Sequence, residues 1–245
     1  MTIRQVVCMK WGDKFAATDV NRLHRMVRKH VDGELRMLCF TDDAQGISHE
    51  VECHPLPAVP VVGERSDRGW RKLGLFGSEL GALCEGPVLY LDLDIAIVQP
   101  LEPFFAWPGE FLIIKDFKPL RYRHRFSGNS SVVRFHAGAH QRLIAELVQR
   151  GTRIREDFRD EQEFVSDYMR RQGALNYWPS GWCASFKHDC VQPLPLGLWQ
   201  PPKLPEGAKI VVFHGRPKPD EAIIGIGSKW YRPLLPAPWL RRHLE

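Results

Sequence analysis

The sequence predicts a single α/β domain in which a mainly parallel sheet is flanked by helices. Short apolar runs, typical of buried strands, alternate with amphipathic helix-like segments through the first third of the chain. Charged clusters follow the ends of these runs, and ligands of open α/β sheets bind beyond the carboxyl ends of the strands. The last third is rich in proline, so we expect an irregular, substrate-facing region there.

The apolar patterns assign the individual elements. Strands are predicted over residues 3–9, 35–40, 47–56, 87–91, 95–98, 111–114, 130–135 and 209–213. Helices are predicted over residues 20–31, 70–84, 137–150 and 161–171, the first of them capped by Thr18 or Asp19. Three glycines interrupt the second helix, where each costs about 1 kcal/mol relative to alanine. We expect them to allow close packing of that helix, at Gly74, Gly77 and Gly81.

Length and composition favour one globular domain. The chain has 245 residues, 44% of them hydrophobic and 26% charged, which argues against disorder. We expect a domain over residues 1–220 and a basic, aromatic, proline-rich extension over 221–245 that packs on it. No apolar run approaches the roughly 20 residues that span a bilayer, and the amino terminus has no signal-like apolar stretch. These features predict a cytoplasmic protein.

Cysteine usage and charge narrow the function classes. Six cysteines without a CxxC pair indicate free thiols in a reducing compartment. The formal net charge of +5 suits an anionic substrate or an acidic membrane surface. Nucleic-acid binding is disfavoured, because the basic residues are scattered and no zinc-finger or RRM signature is present.

Two acids, Asp92 and Asp94, directly follow the most apolar predicted strand and precede a second apolar run. Ionised carboxylates at such a depth need a partner or a cation. Their i, i+2 spacing puts both side chains on one face of an extended segment, and two hard oxygen donors suit Mg²⁺ or Mn²⁺. The alternative is a solvated turn that carries two acids.

A second cluster follows the last predicted strand. His214 opens the segment HGRPKP, and a neutral imidazole there would add a nitrogen ligand to the same cation. Arg216 and Lys218 are suited to contact a diphosphate. The alternative is a histidine with a structural role.

The string YLDLDIAIVQPL, followed much later by FHGRPKP, resembles GT-A-fold glycosyltransferases. It is most similar to the family 8-like, galactosyltransferase-type enzymes of bacterial polysaccharide and lipopolysaccharide synthesis. The segments VVCMKWGDKF, CFTDD, SGNSSVVRF and DEQEF agree with it, so the resemblance covers roughly residues 3–219. It implies a Rossmann-like GT-A fold and metal-dependent transfer of a sugar from a nucleoside-diphosphate sugar, a UDP-sugar being favoured. It also implies a glycan or lipid-linked acceptor and retention of the anomeric configuration.

The resemblance also implies roles for individual residues. Asp92, Asp94 and His214 would bind Mn²⁺ or Mg²⁺ on the diphosphate, and Lys218 would contact phosphate. The family spaces its histidine and lysine as HxxGxxK, whereas this chain has the shorter HGRPK. Residues near the reacting sugar would be Asn129, Asp160, Glu161 and Gln162, with the register open between the two acids.

Further positions come from the predicted topology. The loop of Lys10, Trp11 and Gly12 after the first strand is where a nucleoside would lie, with Trp11 packed on the base or closing the sheet edge. Lys72 reaches the sugar or phosphate, or is a solvated lysine. Asp42 or Asp43 accepts a hydrogen bond from the base or ribose, or closes the turn.

The acceptor side and the mechanism remain open at this level. A divalent cation would stabilise charge on the leaving diphosphate. With inversion, Asp160 or Glu161 would act as general base. Aromatic residues either stack on acceptor sugars or belong to the core, at Trp178, Trp182 and Trp199. Residues 230–244, with their basic side chains, are a candidate contact with an anionic membrane; the basic positions in and beside them are Lys229, Arg232, Arg241 and Arg242.

Two other functions compete with glycosyl transfer. A sugar nucleotidyltransferase normally carries a glycine-rich, basic loop after its first strand, where this chain has CMKWGDKF with one glycine. A non-catalytic module that binds nucleotide sugars would share the donor site and lack transfer, so hydrolysis and transfer assays distinguish it.

Overall fold

The computed structural model describes residues 3–60, 69–117, 126–193, 195–227 and 234–245. The strands are β1 (Arg4–Lys10), β2 (Leu35–Thr41), β3 (Val51–Pro55), β4 (Pro87–Leu91), β5 (Ile95–Ile97), β6 (Phe111–Lys115), β7 (Gly128–His136), β8 (Leu175–Tyr177), β9 (Cys183–Ser185) and β10 (Ile210–Val212). The α-helices are α1 (Ala17–His30), α2 (Ser78–Leu83), α3 (Glu102–Ala106), α4 (Gln141–Arg150), α5 (Ile154–Asp157), α6 (Glu161–Arg171), α7 (Pro219–Ile224) and α8 (Arg241–Leu244). Short 3₁₀ segments cover Trp70–Phe76, Gly151–Arg153, Leu196–Leu198 and Pro238–Leu240, and one π-helical turn covers Phe186–Cys190.

The main sheet confirms the predicted fold class. In the described part of the chain its seven strands lie in the order β3-β2-β1-β4-β7-β6-β8. The first four are parallel to one another, β7 is antiparallel to β4 and β6, and β8 is parallel to β6. Alternate residues of β1 enter different cores, since Val6 packs on one face and Val7 on the other. Helices therefore cover both faces, as the apolar strand runs require.

A second, smaller sheet was not predicted. Its strands lie in the order β5-β10-β9, with β10 antiparallel to β5 and parallel to β9. Ile95 pairs with Val212, and the next backbone N–H, that of Phe213, donates to the Asp94 carbonyl at 3.2 Å. This pairing brings the end of β10 beside the acidic segment that follows β4.

The first helix begins earlier than predicted, and the predicted cap was wrong. Ala16 is the extended residue before α1, and Thr18 and Asp19 both lie inside the first turn. The Asp19 carboxylate reaches back and accepts from the Ala16 backbone N–H at 2.8 Å. A carboxylate within the first turn can thus satisfy a backbone N–H at the start of the helix, a task usually performed by a cap residue that precedes it.

The predicted helix 70–84 is divided. A 3₁₀ segment ends at Phe76, Gly77 is extended, and α2 follows. The expected close packing holds at two glycines: a Cβ on Gly74 would lie 2.8 Å from Pro57 Cβ, and one on Gly81 would lie 2.8 Å from Gly138 Cα. The predicted helix 137–150 begins only at Gln141, whereas 161–171 is confirmed as α6.

The C-terminal elements pack against the main body. Leu240 and Leu244 enter the same core as the buried face of α1. Lys29 Nζ donates to the Arg242 carbonyl at 2.9 Å, and Trp239 Nε1 donates to the Pro202 carbonyl at 2.9 Å. The candidate membrane residues Lys229, Trp230 and Arg232 lie outside the described residues. Among the helices that are described, none is long and apolar enough to cross a bilayer.

Candidate active site

The candidate site lies at the carboxyl ends of β1, β2 and β4. Asp92 and Asp94 occupy the short connection between β4 and β5, and Asp94 is only 7% exposed. The sheet order places β1 beside β4, so the loop after β1 lies next to these acids. This is the edge at which the sequence predicted a ligand site.

Asp92 is held by two donors, the partly buried Lys72 and the buried Tyr90. Lys72 Nζ lies 2.7 Å from its Oδ1, and the Tyr90 hydroxyl donates to the same oxygen at 2.7 Å. Burial alone would raise the pKa of Asp92, but Lys72 and the Tyr90 hydrogen bond outweigh it and lower the pKa. Burial and the Asp92 charge raise the pKa of Tyr90, which keeps the phenol protonated as a donor. The carboxylate is therefore ionised beside a charged lysine.

A chain of hydrogen bonds continues from Lys72 to the start of α6. Lys72 Nζ donates to Ser130 Oγ at 3.2 Å, and that hydroxyl donates to Glu161 Oε1 at 2.9 Å. The Ser130 backbone N–H donates to Gln162 Oε1 at 3.2 Å. The structure thus brings the predicted residues Asp92, Lys72, Glu161 and Gln162 together through a serine that the sequence analysis did not single out.

The two neighbouring acids of α6 have different surroundings. Asp160 is the residue before the helix, and its side chain accepts from the Glu163 backbone N–H at 3.2 Å. Glu161 is 7% exposed and faces Ser130. Asn129, also buried, accepts from the Ser131 backbone N–H at 3.2 Å through its Oδ1. Glu161 therefore contacts the Ser130 hydroxyl, whereas Asp160 contacts the helix backbone, and the role of either acid towards a sugar stays a prediction.

Asp94 lies beside a different lysine. Lys14 Nζ is 3.4 Å from its Oδ2, although the Lys14 side chain is 47% exposed. Burial, followed by the charge of Asp92, raises the pKa of Asp94. Lys218 Nζ donates to the Lys14 carbonyl at 3.2 Å, and both ammonium groups lie over the ring of Phe15, at 4.4 and 5.5 Å from its centroid. Lys14 was missed, because its exposed side chain in a charged loop carries no sequence signal.

His214 and Arg216 lie on the loop after β10. The β5–β10 pairing brings Phe213 to the Asp94 backbone, and His214 is the next residue in the chain. Its ring packs edge-on against Phe117 at 5.0 Å, and its carbonyl accepts from Lys187 Nζ at 2.5 Å. Arg216 is exposed, and its Nε lies 3.4 Å from Glu221 Oε1. Its guanidinium is therefore turned towards α7, which carries Glu221.

The loops after β1 and β2 are tied to each other. Asp42 Oδ2 accepts from the Gly12 backbone N–H at 2.8 Å, where Gly12 has φ +57°. The buried Lys10 directs its Nζ to the Asp43 carbonyl at 3.0 Å. Trp11 is partly buried against the core on one face of the sheet. Asp42 therefore joins the two loops, whereas Asp43 closes the turn after β2 by accepting from the Gln45 backbone N–H at 2.9 Å through its Oδ1.

The chemistry of the acidic segment fits a hard divalent cation. Two carboxylates two residues apart lie in the same segment, Asp94 buried and Asp92 19% exposed, and each has a lysine beside it. The backbone brings His214 to the same place. Within the described ranges, however, no three His, Cys, Asp or Glu side chains are close enough together to form a metal-binding group. A metal site at Asp92, Asp94 and His214 therefore stays a prediction.

The aromatic candidates for an acceptor surface lie in different places. Trp178 is buried and donates its indole N–H to the Val132 carbonyl at 3.0 Å, which makes it a core residue. Trp182 packs beside Lys209 at the start of β10, whereas Asp94 lies at the other end of that strand. Trp199 is 62% exposed.

The fold is the one found in solved GT-A glycosyltransferases, as predicted. The galactosyltransferase LgtC, solved with donor and acceptor sugar analogues, is 14% identical; the match covers 88% of each chain with a TM-score of 0.59. The bifunctional glycosyltransferase WbbM is 12% identical over 88% of this chain and 46% of that one, with a TM-score of 0.60. Mouse xyloside xylosyltransferase 1 is 14% identical over 88% of this chain and 98% of that one, with a TM-score of 0.55.

No protein-family model and no curated protein sequence matches the chain. At these low identities the structural similarity establishes the fold alone. The activity has to be argued from the residues of the site.

Proposed function

We propose that the protein is a glycosyltransferase that moves a sugar from a nucleoside-diphosphate sugar, a UDP-sugar being favoured, to a hydroxyl of a glycan or lipid-linked acceptor. One observation carries the proposal. The hydrogen-bonded chain from Asp92 through Lys72 and Ser130 to Glu161 lies at the carboxyl ends of the parallel strands. It is found in a fold shared with a galactosyltransferase that was solved with donor and acceptor sugar analogues.

The donor diphosphate would bind at the acidic segment. Asp92, Asp94 and His214 would hold Mn²⁺ or Mg²⁺, and the cation when bound would supply positive charge to the leaving diphosphate. Lys218 and Lys14 lie on the Asp94 side and would contribute further charge there. Arg216, which is turned towards Glu221, would have to reorient in order to take part.

The reacting sugar would lie against the start of α6 and β7. Glu161, Gln162 and Asn129 line this side, and Asp160 orders the first turn of the helix. We propose retention of the anomeric configuration, in which the Glu161 carboxylate stabilises positive charge that develops on the sugar. Proton NMR of the first product tests this, since an inverted product excludes retention.

Donor binding gives the most direct test of the proposal. A thermal-shift panel of UDP-, GDP-, ADP-, dTDP- and CMP-sugars, each with and without Mn²⁺, measures binding to the native state by mass action. We expect one nucleotide class to raise the melting temperature, and only in the presence of Mn²⁺. Turnover of that donor should fall about a hundredfold or more in Asp94→Asn.

The control variant is Asp32→Asn, since Asp32 is an exposed carboxylate in the turn after α1. It should bind and turn over the donor like the wild type. If no donor shifts the melting temperature and none is hydrolysed or transferred, the proposed activity is wrong. A shift that is unchanged in Asp94→Asn contradicts the metal assignment alone.

A lipid-linked acceptor would require access to a membrane. We propose that this cytoplasmic protein makes a peripheral contact with an anionic membrane through its basic C-terminal region, which includes Arg241 and Arg242 at the exposed start of α8. Pelleting with vesicles of anionic lipid should carry the protein down at low salt. Equal pelleting with neutral vesicles contradicts the electrostatic basis of the contact.

A further inference from the structure

The Ser130 side chain joins Lys72, which holds Asp92, to Glu161 at the start of α6. Its Oγ lies 3.2 Å from Lys72 Nζ and 2.9 Å from Glu161 Oε1. A lysine ammonium can only donate hydrogen bonds, so the serine oxygen accepts from Lys72. The single hydroxyl hydrogen then points at Glu161, whose Oε1 accepts it.

The other oxygen of Glu161 is also confined. A Cβ built on Gly69 would lie 2.2 Å from Oε2, which means that the carboxylate lies directly against the Gly69 backbone. The residue is nearly buried. With one oxygen bound by a hydroxyl and the other against the backbone, both ends of the carboxylate are confined.

Lys72, on which this arrangement depends, is itself fixed. Its ammonium is held by Asp92, and Asp92 is held in turn by Tyr90. Lys72 Nζ also lies 3.0 Å from Asp92 Oδ2, so both oxygens of that carboxylate hold the ammonium in place beside Ser130. The direction of the Ser130 hydroxyl is therefore set by the fixed position of the Lys72 ammonium.

We propose that Ser130 is a positioning residue, whose hydroxyl fixes the Glu161 carboxylate against the donor sugar while Lys72 sets the direction of that hydroxyl. The inference rests on the proposed glycosyl transfer and adds to it the residue that aligns the sugar-facing acid. Ser130 acts through Glu161, so its loss should slow the chemical step and leave donor binding largely intact.

Three variants of the full chain test this role. Ser130→Ala should lower kcat about ten- to a hundredfold with little change in the KM for the donor, because a charge-assisted hydrogen bond is lost. Ser130→Thr keeps the hydroxyl and should restore kcat to within a few-fold of the wild type. Ser78→Ala removes an exposed serine hydroxyl at the start of α2, outside this network, and should behave like the wild type. A wild-type kcat in Ser130→Ala, or an effect confined to KM, overturns the proposal.

A second measurement requires no turnover. The urea midpoints of Ser130→Ala, Glu161→Gln and the double variant form a cycle that measures the coupling between the two side chains. We expect the two single effects not to add; strictly additive effects overturn the proposal. If the wild type turns over no nucleotide sugar while the cycle remains non-additive, the proposed function fails and the fixed position of Glu161 stands.

Discussion

Replacing Gly69 by alanine tests the geometry of the site with a single methyl group. Gly69 has φ −79° and ψ −37°, a conformation open to any residue, so the backbone tolerates the change. The new Cβ would lie 2.2 Å from Glu161 Oε2, whereas ordinary contacts begin at 3.4 Å. The carboxylate must therefore retreat by about 1.2 Å, away from the place where Ser130 holds it.

A shift of this size affects rate and stability differently. Misplacing a reacting group by about 1 Å costs on the order of a hundredfold in rate, so we expect kcat to fall by about that factor. The moving atoms are the end of a side chain, and alanine reduces the entropy of the unfolded chain, which offsets the cost. We therefore expect the melting temperature to stay within about 3 °C of the wild type.

The assay combines kcat and KM for donor turnover with thermal unfolding, and a shortened acid supplies the comparison. Glu161→Asp withdraws the carboxylate from Gly69 by one methylene and should itself lower kcat. Adding Gly69→Ala to that variant should then cost little more, because the clash has been removed. A wild-type kcat in Gly69→Ala, or an equal further loss in the Glu161→Asp background, refutes the reasoning.

Three further perturbations address stability. Lys72→Met leaves Asp92 buried without its cation and should lower the free energy of unfolding by about 2–4 kcal/mol in urea titrations; a loss below about 1 kcal/mol would contradict the ion pair. Arg134→Met removes donors to the carbonyls of Phe104, Phe105 and Gly109 and should cost about 3 kcal/mol, whereas Arg25→Met on the exposed face of α1 should cost almost nothing in the same titration. Burial and then Arg242 lower the pKa of His243 from 6.5 to about 4, so the unfolded chain takes up this proton at a higher pH than the folded one. The stability it contributes above pH 6.5 is lost as the pH falls towards 4, and His243→Gln should show a smaller drop in urea midpoint between pH 7.5 and pH 4 than the wild type.

The sequence predicts the main sheet and the edge at which the site lies. A strand such as residues 87–91 is recognisable because it must be apolar on both faces, and the acids that follow it stand out against that background. Helix ends were less predictable. The start of α1 depends on Asp19, which lies inside the helix and reaches back to the Ala16 N–H. The sequence alone does not distinguish such an aspartate from one that precedes the helix as its cap.

The hydrogen bonds within the candidate site could not be predicted from the sequence. Ser130 is a small polar residue in a strand, and its importance arises only from the distances to Lys72 and Glu161. The choice between Asp160 and Glu161 likewise depends on which side chain turns towards the helix backbone. The β5–β10 pairing joins two short apolar runs far apart in the chain, and either run would pair equally well elsewhere.

That pairing also sets the order in which the site is assembled during synthesis. The strands β1, β2 and β4 and the acids Asp92 and Asp94 leave the ribosome first, whereas Phe213 and His214 follow more than a hundred residues later. Contacts between segments so distant in sequence form late, because a long loop must close before they are gained. A nascent chain therefore carries the acidic segment for most of its synthesis without the histidine beside it. The candidate site is thus completed only when the small sheet has closed.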